Sequence, residues 1–200
     1  MSRNTRDILV ETATGQVRRQ GYSAFSYADL AGAVGIRKAS IHHHFPSKED
    51  LGEALVDAYT TSFSEKLDEI HRETSDPVER LRRYAELYRE GLGRKEACLC
   101  GVLASEIAVL PRRVQGGVRR YFSLNLRWLE ETLEEDQAGA LRADIQPHRE
   151  ARTVLSALQG ALILGLSTQE PATFDETVEG LLASLRPLER DATTRHRPKH

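Results

Sequence analysis

Arg37, Lys38, Ser40, His42 and His43 lie within seven residues of one another. Together they put positive charge and hydrogen-bonding groups on one short stretch of chain. That is the chemistry for reading a nucleic acid, because phosphates take cations and donors while base edges take directed hydrogen bonds. Two helices joined at a tight turn would position it. Ser26 can cap the first helix, and Asp29 three residues on suits a capping box. Leu30, Ala31 and Val34 share an apolar face. Gly35 follows at once, and glycine takes up a left-handed turn conformation at no steric cost. Ala31 is small enough for close packing, and Ile36 plugs the turn. Ile41 and Phe45, four apart, seat the second helix on the core. Opposite them fall Lys38, Ala39, His42 and His43, with Arg37 and Ser40 near the helix start. In a helix-turn-helix the N-terminal residues of the second helix meet base edges, while the first helix crosses the backbone.

Ile8-Leu9, Ala13, Gly21-Tyr22, Ser26, Leu30-Ala31, Val34-Gly35-Ile36, Lys38, Ser40-Ile41, His44-Phe45-Pro46-Ser47-Lys48 and Leu51 form a gap-free pattern. Through it, residues 8–51 resemble the N-terminal domain of the TetR (TetR/AcrR) family of bacterial repressors. The resemblance implies an all-helical homodimer on a palindromic, double-stranded operator. It also implies a small-molecule effector, bound in the C-terminal domain, that spoils the spacing of the two DNA-reading heads. By position it makes Arg37, Lys38, Ala39, Ser40, His42 and His43 the reading residues, and it assigns phosphates to Ser26, Tyr27 and Lys48. Two positions depart from the family pattern. His42 stands where the family usually has a phosphate-touching Tyr, so a hydrogen bond from His42 must serve instead. Gln16-Val17 replaces a Leu-Phe pair, and Gly15 weakens the same helix, which predicts looser packing of the first helix.

Beyond this head the chemistry thins out. Tyr59 and Phe63, Tyr84 and Tyr88, and Tyr121 and Phe122 fall on three predicted helices; Leu103, Glu106 and Asn125 complete the expected ligand pocket. A mostly apolar wall with a few polar groups suits a small apolar or aromatic effector. Plain core packing is the simpler reading of any one of these aromatics. The run 154–166 is apolar nearly all round, as in a helix buried on more than one side. Val154, Leu155, Leu158 and Leu162, with Phe174, Val178, Leu181 and Leu185 of the last helix, are therefore expected at a four-helix dimer interface. Cys98 and Cys100 point to different sides of a helix and read as small buried hydrophobes. A thiol-based redox or electrophile sensor at either stays open at this point. Consecutive His42, His43 and His44 diverge around a helix and make no convincing metal site.

Helical spacing recurs throughout, and regular strand alternation is absent. The predicted helices are Thr5–Gln20, the two of the motif, one capped by Ser47 to about Arg72, and one from Asp76-Pro77 to about Leu92. Then come Cys98–Leu110, Val114 to about Asp136, His148 to about Ser167, and Thr173 to about Leu188. The fold class is all-α, with about nine helices. Its expected units are a helix-turn-helix DNA-binding domain at 1–47, a ligand-binding and dimerisation domain at 48–189, and a disordered tail at 190–200. The first fifty residues hold seven Lys+Arg against five Asp+Glu, and the remainder 21 against 25, a weak asymmetry with the sign of a DNA-binding head on an acidic body. No stretch of about 18 apolar residues exists and the N-terminus has no signal-peptide core, so a cytoplasmic chain is expected. No phosphate loop, Gly-x-Ser-x-Gly elbow or His-Glu-x-x-His occurs; Glu130-Glu131 and Glu134-Glu135 read as a solvated face. The expectation is a regulator, not an enzyme, with no cofactor and no metal. A helical protein-interaction module without DNA binding is the alternative.

Overall fold

The computed structural model describes residues 4–136 and 138–187, so the expected tail at 190–200 lies outside the described residues. Nine α-helices and no strand are found among them. They are α1 (Thr5–Gln20), α2 (Tyr27–Val34), α3 (Lys38–His44), α4 (Lys48–Glu73), α5 (Pro77–Gly93), α6 (Leu99–Ser105), α7 (Arg112–Glu134), α8 (Pro147–Thr168) and α9 (Pro171–Leu185). Side-chain caps set four of the nine starts, those of α1, α2, α4 and α5. The Ser26–Asp29 and Ser47–Asp50 boxes both close reciprocally, and the Asp76 side chain accepts from Val78 N–H ahead of Pro77 at the first helical position. Gly35 ends α2 at φ 74°, ψ 31°, the left-handed geometry the turn requires.

α1–α3 form the head, and α4 runs from it into the body, packing on α1 as well as on α5, α6 and α7. α8 packs on α7, α5 and α9, and α9 packs on α5. Val17 of α1 is fully buried. At Gln16 the side-chain Nε2 donates to the Asp29 carbonyl at 3.4 Å, while Oε1 is shielded with no hydrogen-bond partner. Arg80 was not singled out by the sequence, yet it is buried between three elements. It donates to the Thr74 carbonyl at 2.7 Å and the His71 carbonyl at 3.3 Å, and pairs with Glu135 at 2.6 Å. Glu135 therefore does not belong to a purely solvated face, and Glu130 likewise meets His148 at 2.8 Å.

Two expected helix bounds are corrected. The helix predicted over 98–110 stops at Ser105, because Glu106 turns out of the helix and 106–110 continue as turns. α9 starts at Pro171, not at Thr173. Proline needs no N–H at the first position, Gln169 ends α8 in a left-handed conformation at φ 61°, and Thr173 falls inside the first turn with no capping box.

The residues expected to pair the copies lie mostly inside the protomer. Val154, Leu155, Leu158, Leu162, Phe174, Val178 and Leu185 are all buried within the protomer, and Leu181 is half-buried. A helix that is apolar nearly all round must spend one stripe on its own chain, and here the continuous Val154–Leu162 stripe is that one. The outward side of α8 carries Ile163 and Leu164 at 58% and 53% exposure, with exposed Ser156 and half-buried Gly160 alongside. α9 adds exposed Glu176, Gly180 and Ala183.

Candidate nucleic-acid interface and effector site

α3 sits on the core through Ile41 and Phe45, which are 0% and 2% exposed. Arg37, Lys38, Ala39, Ser40, His42 and His43 are all exposed, and His44 is half-buried. Among the described residues, no hydrogen bond or ion pair engages the side chains of Arg37, Lys38, Ser40 or His43. His42 is different: its Nδ1 lies 3.2 Å from the Pro46 carbonyl, and its ring stands edge-on to Tyr27 at 4.9 Å. A carbonyl only accepts, so Nδ1 carries the proton and a neutral His42 turns an acceptor, Nε2, outward. A neutral ring in that state cannot donate to a phosphate.

The three residues assigned to phosphates are committed elsewhere. The Ser26 hydroxyl donates to Asp29 at 2.6 Å within its capping box. The Tyr27 hydroxyl is shared between the carbonyls of Phe45 at 2.9 Å and Ser47 at 2.6 Å, tying α2 to the turn between α3 and α4. Burial, aided by Asp50, pushes that hydroxyl up to about 12. The Lys48 ammonium lies over the rings of Tyr22 and Phe25 at 4.6 and 5.6 Å, and burial lowers its pKa against the opposing pull of Glu106. Tyr27 and Lys48 therefore shape the head from beneath.

Glu106 is the main displacement from the sequence reading. It does not join the aromatic residues. It accepts from the backbone N–H of Tyr22 at 2.8 Å and of Ser23 at 2.9 Å, and from the Ser23 hydroxyl, so the end of α6 grips the head. Burial opposes its ionisation, yet the Ser23 and Tyr22 donors and the nearby Lys48 hold its carboxyl below the usual range. A depressed folded pKa contributes stability above the unfolded value that is lost as pH falls through the folded one. Glu106→Ala should therefore cost about 1–3 kcal/mol at pH 7. In thermal melts the gap to the parent should shrink as pH drops below about 4. A gap that stayed constant to low pH would remove the carboxylate from this role.

Two further clasps brace this region, the first between head and body and the second between α4 and α7 of the body. Arg18 donates to the Ala97 carbonyl at 2.7 Å and pairs with Glu96 at 2.8 Å, and Arg19 shares that carboxylate at 2.7 Å. Arg113 at the start of α7 meets Glu49, Asp50 and Glu53 of α4 at 3.3, 2.6 and 2.7 Å. These partners are far apart in sequence, so spacing gave no signal for them.

The other residues expected to line a pocket do come together, apart from Leu103, which is buried on α6, and Phe122, which is half-buried and touches only the edge of Tyr121. Phe63 meets Tyr59, Tyr84, Tyr88 and Tyr121 at 5.3–6.1 Å between ring centres. Tyr84 donates to Asn125 Oδ1 at 2.7 Å, so the 3.1 Å contact between the Tyr84 and Tyr88 hydroxyls runs from Tyr88. Cys98 Sγ lies 3.7 Å from the Tyr121 hydroxyl and 3.8 Å from that of Tyr59. Burial first, then neighbouring Cys98, pushes the Tyr121 hydroxyl well above its ordinary value, and burial does the same to Tyr84 and Tyr88. All three stay protonated donors at neutral pH. Trp128, expected among the clustered aromatics, stacks on Tyr84 at 5.4 Å, and its shielded indole N–H has no hydrogen-bond partner among the described residues. A cleft of about 220 Å³ opens onto this cluster at Tyr59 and Phe63, walled by Arg18, Ser62, Lys66 and Leu87. Cys100 is fully buried, and burial pushes its thiol well up, which disfavours a reactive thiolate there.

Over 90% of its length the chain superposes, with a TM-score of 0.87 and 35% identity, on 97% of a TetR-family transcriptional regulator from Agrobacterium tumefaciens. The chain belongs to the TetR family. The model for bacterial regulatory proteins of that family matches residues 9–55, which span α2 and α3 with most of α1 and the start of α4. The transcriptional regulator AcuR of Cereibacter sphaeroides is 29% identical over 160 residues, 78% of this chain and 73% of that one. The HTH-type transcriptional repressor DhaR of a Mycobacterium species, strain GP1, is 28% identical over 160 residues, 79% and 80% of the two chains. As a TetR-family protein the chain is a DNA-binding transcriptional regulator and not an enzyme; it works as a dimer with operator DNA and a small-molecule effector. Among the described residues, no helix is long and apolar enough to cross a membrane, and no group of three His, Cys, Asp or Glu residues is placed to hold a metal.

Proposed function

We propose that this TetR-family regulator is a cytoplasmic repressor whose homodimer grips a palindromic operator with two copies of α3 and lets go when an apolar or aromatic effector binds. The observation that carries the DNA reading is the outer face of α3. Arg37, Lys38, Ser40 and His43 stand there exposed and unengaged, while Ile41 and Phe45 fix the helix from below. Residues 1–47 act as the reading head, and 48–189 as the body that carries effector and partner. Repression rather than activation is supported by the relative DhaR, described as a repressor. The effector reading is supported by the tyrosine cluster, an apolar wall with a few protonated hydroxyls, in which Asn125 accepts from Tyr84 and donates to the Tyr121 carbonyl.

The copies pair through the outward faces of α8 and α9. A side-chain carbon added at Gly160 or Gly180 would meet nothing in the protomer, so both positions leave room for a neighbouring helix. Ile163 and Leu164 would be covered there.

The purified protein, titrated against duplexes from the DNA flanking its own gene, should bind one palindrome with two chains per duplex. Counterions returning to the phosphates should weaken binding as salt rises from about 50 to 200 mM. Aromatic compounds that raise its melting temperature should release the duplex. Indifference to every such fragment in dilute buffer would end the DNA reading. Release by none of the stabilising compounds would end the effector reading alone.

A further inference from the structure

A cleft of about 660 Å³ lies where the end of α1, the α5–α6 turn and the α8–α9 turn meet, with Arg18 between it and the cleft at Tyr59. Leu92, Ala97, Val102, Leu166 and Pro171 give it an apolar lining. Arg18, Arg19 and Lys95 also line it, and no acidic residue does. The carboxylate beside it, Glu96, is shared among Arg18, Arg19 and Arg94 at 2.8, 2.7 and 3.6 Å. Arg94 also lies 3.9 Å from Glu90, so two carboxylates face three guanidiniums, and Lys95 adds to the positive balance of the rim. Glu106 approaches Gly21 at this edge, but its oxygens are taken by the Tyr22 and Ser23 donors.

The backbone supplies an independent observation. Among the described residues only Lys95 and Gln169, apart from glycines, have positive φ, at 55° and 61°. Both line this cleft. Each sits just beyond or at a helix end, where glycine would take the left-handed conformation without strain. The chain instead keeps an ammonium at one and an amide at the other. Strained backbone retained at two walls of a single cavity is the pattern of a binding site.

We infer that this cleft is a second small-molecule site, which takes an amphipathic carboxylate. The carboxylate is held by Lys95 with help from Gln169 and Arg19, and the aliphatic part lies against Leu92, Val102 and Leu166. The site joins α1 of the head to the body, so its occupant bears on how the head is held. It is a different cleft from the one at the tyrosine cluster, although Arg18 lines both.

The test uses the full chain and sodium decanoate below its micelle-forming concentration, followed by calorimetry, with decanol and acetate as controls. Decanoate should bind saturably, and both controls at least tenfold more weakly. Lys95→Gly keeps the left-handed turn and relieves its strain, so its melting temperature should equal or exceed the parent's while decanoate affinity falls at least tenfold. Absence of saturable decanoate binding, equal binding of decanol or acetate, or undiminished binding by a folded Lys95→Gly protein would each overturn the assignment.

Discussion

Replacing Ile163 with Arg and Leu164 with Glu should turn the protein into a folded monomer that no longer holds its operator. The two side chains are 58% and 53% exposed in the protomer, so charge there costs the single chain little. In a two-fold pair both residues count twice. Fully burying a Leu or Ile contributes about 1.5–3 kcal/mol, and a buried, unpaired charge reverses that gain. Each freed head would then meet one half-site alone. Losing the second, tethered contact should cut operator affinity roughly 100- to 10,000-fold. Sedimentation should show one chain, and the melting temperature at low concentration should stay close to that of the dissociated parent. Leu158→Ala is the contrasting variant. Leu158 is fully buried inside the protomer, so its loss should destabilise the fold by about 2–5 kcal/mol without abolishing pairing in the fraction that stays folded. A stable dimer in the double variant, or a monomer produced by Leu158→Ala with no loss of stability, would return the interface to the continuous apolar stripe.

These two variants mark where the sequence could and could not be read. Helix starts were legible because their chemistry is local: Ser26 with Asp29, Ser47 with Asp50, and Asp76 with Pro77 act within a single turn. The exposed face of α3 was legible for the same reason, since Ile41 and Phe45 fix its direction within four residues. The outward stripe of α8 was not legible. Apolar residues circle that helix, and only the placement of α5, α7 and α9 shows which stripe the chain covers itself. Partners distant in sequence defeated the reading in the same way. Glu106 looked like a pocket residue until Tyr22 and Ser23, more than eighty residues away, took its oxygens. Tyr27 looked like a phosphate ligand until its hydroxyl met Phe45 and Ser47. Arg80 carried no local signal, because the three groups it joins belong to the ends of α4 and α7 and the lead into α5. Capping and periodicity report the neighbourhood of a residue along the chain; a side chain's partner across the fold leaves no such trace.

Lys38→Ala should abolish specific operator binding while leaving the protein as stable as before. Lys38 is the first residue of α3, exposed, and no side-chain partner holds it among the described residues, so its removal breaks nothing in the protomer. Surface changes of that kind move stability by no more than about 0.5 kcal/mol. On DNA the loss is doubled by symmetry. A single contact to a base edge contributes about 1–3 kcal/mol, so two copies should lose about 2–6 kcal/mol, at least about 30-fold in affinity. The salt dependence separates two roles for the ammonium. A phosphate contact should make the salt slope shallower by about two units for the dimer, whereas a base contact should leave the slope alone and relax sequence preference at one position of each half-site. Tyr27→Phe is the opposite control. It removes the hydroxyl that ties α2 to the Phe45 and Ser47 carbonyls, so its effect on DNA should follow a loss of about 1 kcal/mol in stability. If instead Lys38→Ala bound the operator like the parent, and only Tyr27→Phe weakened it without any fall in melting temperature, then the surface that meets DNA would have to be sought on α2 rather than α3.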